Sequence, residues 1–186
     1  MVSTDDDEIA AVAKEYGASV PFLRSVNNSD DFAGTDDVIK EVLEQYALQD
    51  KFFALACCIY PINPFINVKS LETGLEKLKT LNFDTVFTAV RYSYPIQRAL
   101  RLNGEQAYMI QPEHFSSRSQ DLEPSFHDAA QFYWFKTDAF FRNNRMWSDN
   151  SGIIEISELE VQDIDNETDW KLAELKFKLL HSSVRK

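Results

Sequence analysis

Along the first half of the chain, apolar residues recur at helical spacing, then run unbroken, then return to helical spacing. Ile9, Val12, Ala13 and Tyr16 mark one face of a helix that stops at Gly17. Val2 reads as the end of a strand, and Ser3 to Asp5 as the cap of that helix. An extended piece, residues 19–23, follows and ends at Arg24; residues 27–31 form a polar loop. Thr35 then caps a second helix, with Val38, Ile39, Val42, Leu43 and Tyr46 inward and Lys40, Glu41 and Glu44 outward. Residues 52–59 are continuously apolar, the pattern of a strand covered on both faces. They run into Tyr60-Pro61-Ile62-Asn63-Pro64-Phe65, where two prolines fix a loop. Leu71, Leu75 and Leu78 predict a third helix, and residues 85–90 another strand. This alternation predicts a mostly parallel sheet with helices on its faces. Ligands in such folds sit beyond the carboxyl ends of the strands, which directs attention to the loops after Val2, Ile59 and Val90.

The second half breaks that rhythm. Residues 97–102 and 106–110 flank Asn103-Gly104 and read as a hairpin with a tight turn. Residues 112–124 are irregular and polar, 126–135 aromatic and strand-like, 138–143 a short helix, and 153–156 a short strand. The chain then reaches Val161-Gln162-Asp163-Ile164-Asp165-Asn166-Glu167-Thr168-Asp169-Trp170. On an extended backbone Asp163 and Asp165 face one way and Ile164 the other. Two hard oxygen ligands at a strand end suit Mg²⁺, above all where a phosphate adds further oxygens. The competing assignment is that both aspartates only cap the last helix, whose apolar residues are Trp170, Ala173, Phe177 and Leu180. Asp165 or Asn166 would be the cap, with Asp169 favourable in the first turn.

Composition narrows the function. At 186 residues with 44% hydrophobic and 26% charged residues, the chain suits one domain (1–186) carrying an arm at 93–125. A net charge of -11 excludes a nucleic-acid binder that grips the phosphate backbone. The longest apolar run is too short to span a bilayer, and the N-terminus carries no signal-peptide pattern. The adjacent Cys57 and Cys58 fit no metal spacing and read as reduced, buried side chains of a cytoplasmic protein without membrane contact.

Several segments then occur together in one order: Val2-Ser3-Thr4-Asp5, Phe22-Leu23-Arg24, Tyr60 to Phe65, Ser93-Tyr94-Pro95-Ile96-Gln97-Arg98-Ala99-Leu100, Arg118-Ser119-Gln120-Asp121-Leu122-Glu123-Pro124, His127-Asp128-Ala129-Ala130-Gln131-Phe132-Tyr133-Trp134 and Asp163-Ile164-Asp165. Together they resemble the acylneuraminate cytidylyltransferases, the CMP-sialic acid synthetases, and most of all the branch acting on pseudaminic acid. The resemblance implies a three-layer α/β/α Rossmann-like nucleotidyltransferase fold. It implies that CTP and a nonulosonic acid give a CMP-sugar and pyrophosphate, with Mg²⁺ as cofactor. Asp163 and Asp165 would hold the metal as the catalytic pair. Arg24 and Thr35 would lie along the nucleotide, and Tyr60, Asn63, Gln131 and Tyr133 would line the sugar pocket. The hairpin arm would dimerise the chain. His127 beside Asp128 could be a general-base pair or a hydrogen-bonded structural histidine. Arg98, Arg101 and Arg118 could meet sugar, partner subunit or solvent alone.

The sequence also departs from that family. A strand and a loop with Gly, Ser, Lys and Arg, which hold the triphosphate, have no counterpart, and the five glycines are scattered. The expectation is therefore a sheet lacking its first strand, with an exposed edge, and a polypeptide that does not turn over CTP alone. Ala130 stands where the family has glycine. The alternative readings are a non-catalytic dimeric remnant that binds metal or sugar weakly, and a glycosyltransferase, which would also use an Asp-x-Asp.

Overall fold

The computed structural model describes residues 1–30 and 32–182. Asp31, the last residue of the predicted polar loop, lies outside the described residues. The main helices and strands come in the predicted order: α1 (Asp7–Glu15), α2 (Thr35–Ala47), β1 (Leu55–Ile59), α3 (Val68–Thr80), β2 (Thr85–Arg91), β3 (Leu100–Asn103), β4 (Gln106–Met109), β5 (Phe126–Lys136), α4 (Thr137–Asn143), β6 (Ser151–Ile156) and α5 (Glu167–Ser182).

Four strands form the central sheet in the order β1-β5-β2-β6. β2 and β6 pair in parallel, whereas β5 pairs antiparallel with both β1 and β2. Three strands thus share one direction and β5 opposes them, so the sheet is mixed where helix–strand alternation predicts a mostly parallel one. The cause is the connection: β2 leads to β5 through the arm and no crossover helix, so β5 can return beside it. The arm leaves and rejoins the sheet at one point, closed by the Tyr92 N–H donating to the Ser125 carbonyl at 2.9 Å. Its hairpin pairs Asn103 with Gln106, which makes Gly104-Glu105 the two central turn residues, one position later than predicted. Gly104 has φ +60°, and a glycine first in the turn is the requirement of a type II′ hairpin.

Alternation along β5 sends Tyr133 and Phe135 to one face and Phe132 and Trp134 to the other. The first pair meets Phe87 and Ala89 of β2, Phe140 of α4 and Met146, with Ile39 and Leu43 of α2 packed over them. The second pair lies under α3, where a Cβ at Gly74 would come within 3.0 Å of both rings. Gly74 is therefore what lets α3 sit close on the sheet. The Trp134 indole donates to the Leu71 carbonyl at 3.0 Å and Lys77 donates to the Ile153 carbonyl at 2.8 Å, which fixes the same helix. Helices on both sides of one sheet give the three layers the sequence implies.

The N-terminal half is looser than its pattern predicts. α1 is capped by Asp6, which accepts from the Glu8 and Ile9 N–H groups, one residue beyond the predicted 3–5 cap. Ile9 and Val12 are each 54% exposed and Tyr16 86%, so the predicted inward stripe stays open and Ala10 is the buried residue. Val2 and residues 19–24 join no sheet; two backbone bonds, Val2 N–H to Ser19 and Arg24 N–H to Thr4, tie them together. β1 pairs with β5 alone, and most of it is half-buried. The apolar run over 52–59 is thus an edge strand rather than one covered on both faces. Phe52 and Phe53 fall outside it, exposed. Cys57 and Cys58 on β1 are free thiols. Burial pushes them up to about 12 and about 11, so both stay protonated at neutral pH, as the reduced-thiol reading requires.

Candidate functional site

Two loops and one strand irregularity meet at the carboxyl end of β1. The first loop is Tyr60 to Asn63, directly after β1. The second is Gln162 to Asp165, on the segment between β6 and α5. The third component is Ala129 to Gln131 of β5. They enclose a cavity of about 190 Å³ that Tyr60, Asn63, Gln131, Asp163 and Asp165 all line. Five of the eight residues singled out in the sequence are therefore gathered in one place.

β5 supplies its wall through a bulge. Phe87 pairs with Tyr133 and Ala89 with Asp128, so the single residue Thr88 faces the four residues from Ala129 to Phe132. Ala130 has φ +50°, a left-handed conformation that a Cβ disfavours. The position where the resemblance leads one to expect glycine is thus one where the backbone favours glycine. Asp128 holds this shape: one carboxylate oxygen accepts from the Ala130 N–H at 3.0 Å, the other from the Tyr133 hydroxyl. Tyr133 is 2% exposed. Burial, and then the hydrogen bond to Asp128, push its phenol far above the ordinary range, so it is a neutral donor. It does not line the cavity; it packs behind Tyr60 at a tilt, ring centroids 5.3 Å apart. Gln131 is buried, and its amide donates across the site to the Glu160 carbonyl.

The aspartate pair is free of the capping duty that rivals metal binding. Asn166 caps α5 by accepting from the Thr168 and Asp169 N–H groups at 2.9 and 3.2 Å. Asp169 closes the reciprocal bond, accepting from the Asn166 N–H at 3.2 Å and from that of Asp165 at 3.1 Å. The carboxylates of Asp163 and Asp165 make no hydrogen bond or ion pair among the described residues, and both residues are exposed. No group of three or more His, Cys, Asp and Glu side chains that could hold a metal occurs among the described residues. Two free carboxylates with open coordination fit Mg²⁺ as it is held in phosphate-transfer sites, by one or two carboxylates plus substrate oxygens.

The nucleotide-side residues divide. Thr35 is the first helical residue of α2 rather than its cap, which is Gly34. Its hydroxyl lies 3.3 Å from that of Tyr60, which joins it to the cavity wall. Arg24 does not line the cavity. Its guanidinium pairs with Asp5 at 3.1 Å, and this hydrogen bond holds the Asp5 carboxyl below its usual value. Its Nε is buried without a partner among the described residues. Beside it Glu41 is pulled up by burial but down, on balance, by hydrogen bonds from Asn28 and Ser25. Of the three loops expected to converge, the one after Ile59 reaches the small cavity. The one after Val90 lines a separate cavity of about 560 Å³ with the base of the arm. His127 bonds through Nδ1 to the Asp128 carbonyl at 2.8 Å and packs on Tyr92, which matches its structural assignment.

One feature escaped the sequence. Asp128 was read only as a partner for His127; the signal for its bracing role was Ala130 at a glycine position. Asn63, expected from the sequence in the sugar pocket, keeps its side-chain nitrogen buried without a partner among the described residues. An apolar groove of about 570 Å³ adjoins, sharing Pro61, Ile62, Asn63 and Ile164 with the cavity and closed by Trp170, Ala173 and Phe177 of α5.

Residues 1–166 match the family model described as Cytidylyltransferase. The chain is 35% identical over 185 residues to the pseudaminic acid cytidylyltransferase of Campylobacter jejuni, covering 99% of this chain and 80% of that protein. A Helicobacter pylori protein named as pseudaminic acid cytidylyltransferase and UDP-2,4-diacetamido-2,4,6-trideoxy-beta-L-altropyranose hydrolase is 39% identical over 166 residues, 88% of this chain and 31% of that protein. The CMP-N,N'-diacetyllegionaminic acid synthase of Legionella pneumophila is 28% identical over 94% of this chain and 75% of its own length. Among solved structures, CMP:2-keto-3-deoxy-manno-octonic acid synthetase complexed with CTP superposes with a TM-score of 0.62 at 13% identity. That match covers 97% of this chain and 80% of the other, and shows the shared nucleotidyltransferase fold.

Proposed function

This chain belongs to the cytidylyltransferase family, and we propose that its substrate is an N-acetylated nonulosonic acid of the pseudaminic type, activated with CTP. The observation that carries the reading is one cavity lined both by sugar-side groups and by two uncommitted carboxylates. The anomeric hydroxyl of the sugar acid attacks the α-phosphorus in line. The new bond joins anomeric oxygen to phosphorus, the bond to the β-phosphate breaks, pyrophosphate leaves and the hydroxyl's proton passes to solvent water. Asp163 and Asp165 would hold Mg²⁺, which when bound would supply neutralisation of phosphate charge and a lowered pKa for the attacking hydroxyl. Tyr60, Asn63 and the Ala129–Gln131 bulge orient the sugar, with Tyr133 supporting Tyr60 from behind. Thr35 and Arg24 lie toward the nucleotide.

The preference for an acetamido sugar rests on Asn63 and its surroundings. Its unpartnered amide is a donor beside an apolar groove, which suits the carbonyl and methyl of an acetamido group. One of the relatives, the Legionella pneumophila synthase, carries a diacetylated sugar in its name. Pyrophosphate release with CTP and a panel of nonulosonic acids tests the reading. The expected result is release with N-acetylated sugars and about 5- to 150-fold lower kcat/KM for de-N-acetylated ones, since a buried donor left unpaired costs about 1–3 kcal/mol. Equal rates for both would remove Asn63 from recognition.

A second reading, a non-catalytic chain that binds metal or sugar weakly, is favoured by one observation. No cluster among Gly17, Gly34, Gly74, Gly104 and Gly152 offers a backbone cradle to a triphosphate. Absence of pyrophosphate with every sugar, in protein that still binds a nonulosonic acid, is the outcome that supports it.

Assembly follows from the arm. Tyr94, Leu100, Leu102 and Phe115 are 85, 60, 74 and 75% exposed, an apolar surface too extended for a solvated hairpin. We read the arm as the contact of a homodimer. Sedimentation at micromolar concentration is expected to give a dimer, and Leu102→Glu a monomer; a wild-type monomer would refute the assignment.

A further inference from the structure

We propose that Asp128 is a positioning residue: it holds the β5 bulge in its left-handed conformation and, through Gln131, ties the sugar side of the cavity to the loop that carries Asp163 and Asp165. The inference builds on the cavity assigned above to a sugar, but the bracing itself does not depend on which sugar binds.

Four observations carry it. Ala130 sits at φ +50°, where an alanine needs outside support. Asp128 supplies that support from both oxygens, one to the Ala130 N–H and one to the buried Tyr133 hydroxyl. The strand beyond the bulge is fixed: the Tyr60 N–H donates to the Gln131 carbonyl at 3.1 Å, and Phe132 pairs with Ile59. Finally, the Gln131 amide reaches the Glu160 carbonyl, and Glu160 is anchored in a capping box with Ser157. One carboxylate thus sets the bulge, the bulge aims Gln131, and Gln131 holds the stretch just ahead of the aspartate pair. If the bulge relaxed toward a regular ladder, alternate side chains would swap faces and Gln131 would leave the site.

The test uses amide exchange and kinetics on the whole chain. Asp128→Ala is expected to speed exchange of the Ala130 and Gln131 amides at least about tenfold, leaving the amides of β2 and β6 protected. It is expected to raise the KM for the sugar acid more than it lowers kcat. Ala130→Gly supplies the decisive arm. Glycine adopts the left-handed conformation without support, so the effect of Asp128→Ala on Gln131 exchange should shrink at least threefold in the Ala130→Gly background. An Asp128 effect of equal size in both backgrounds, or unchanged exchange at Gln131, would overturn the proposal. Should Asp128→Ala fail to fold, Asp128→Asn and Tyr133→Phe remove single hydrogen bonds and are read the same way. A chain with no turnover on any sugar but with the expected exchange pattern would fault the substrate assignment and leave the brace standing.

Discussion

Asp163→Ala and Asp165→Ala are each expected to lower CMP-sugar formation by about 10³-fold or more, corresponding to roughly 4 kcal/mol of lost transition-state stabilisation. The pair supplies the two free carboxylates of the cavity, so under the proposed metal assignment either loss would halve the protein's share of the ligands. The structure makes this a sharp test, because the helix beside them does not depend on them. Asn166 and Asp169 complete the cap of α5 without either carboxylate. Helix content and Tm should therefore stay at wild-type values while activity falls. Asp165→Asn should fall as far as Asp165→Ala, since an amide offers one neutral oxygen where the metal needs a charged one. Asn166→Ala should show the opposite pattern: about 1 kcal/mol of stability lost with the cap, and metal affinity largely kept. Turnover retained in Asp165→Asn would mean that the aspartate is not a metal ligand.

What the sequence disclosed and what it concealed follow from the physics of each element. α3 and β2 were legible because burial and periodicity agree there: Leu78 and Val86 are fully buried and lie where the pattern put them. The mixed pairing of β5 was not legible. An aromatic strand reads the same in either direction, and only the route of the arm decides which way it runs. α1 misled because a period of apolar residues announces a face without saying that anything covers it; Ile9, Val12 and Tyr16 remain in solvent. The cavity was legible as a set of residues and not as a shape. Tyr60, Asn63, Gln131, Asp163 and Asp165 could be selected as chemistry, but the bulge that aims Gln131 depends on a dihedral at Ala130 and a carboxylate two residues away. That signal was present as a departure at one position, and its meaning appears once φ is known. Asn166 against Asp165 as the cap was left open by the sequence for a related reason. Both are good caps, and the choice is made by where Asp169 turns back.

Binding of CTP is expected to depend wholly on a divalent cation. The chain carries a net charge of -11, and the cavity itself presents two carboxylates that no cation among the described residues neutralises. A triphosphate brought to that wall meets like charges, and at an effective dielectric of about 20 a pair of unit charges 4 Å apart repels by about 4 kcal/mol. Backbone N–H groups of a Gly-rich loop could offset this, but the glycines of this sequence are scattered, none of them lining the cavity. Nearby cations do not substitute for such a loop: Lys176, beside the aspartate loop, donates to the Val161 carbonyl at 2.7 Å. Arg24 is engaged by Asp5 and shares its surroundings with Glu41. What remains is a divalent cation, which on the proposed assignment would turn the same two carboxylates from a barrier into ligands while binding the phosphate charge. Calorimetric titration should therefore show no CTP binding in EDTA and binding on addition of Mg²⁺. The metal-dependent part should be lost in Asp163→Ala. Raised salt should weaken it only modestly, because the ligand bonds are short-ranged where bare charge attraction is screened. Micromolar CTP affinity in EDTA would show that residues outside the Asp163–Asp165 pair hold the triphosphate, and the metal would then serve the chemical step rather than the binding of the nucleotide.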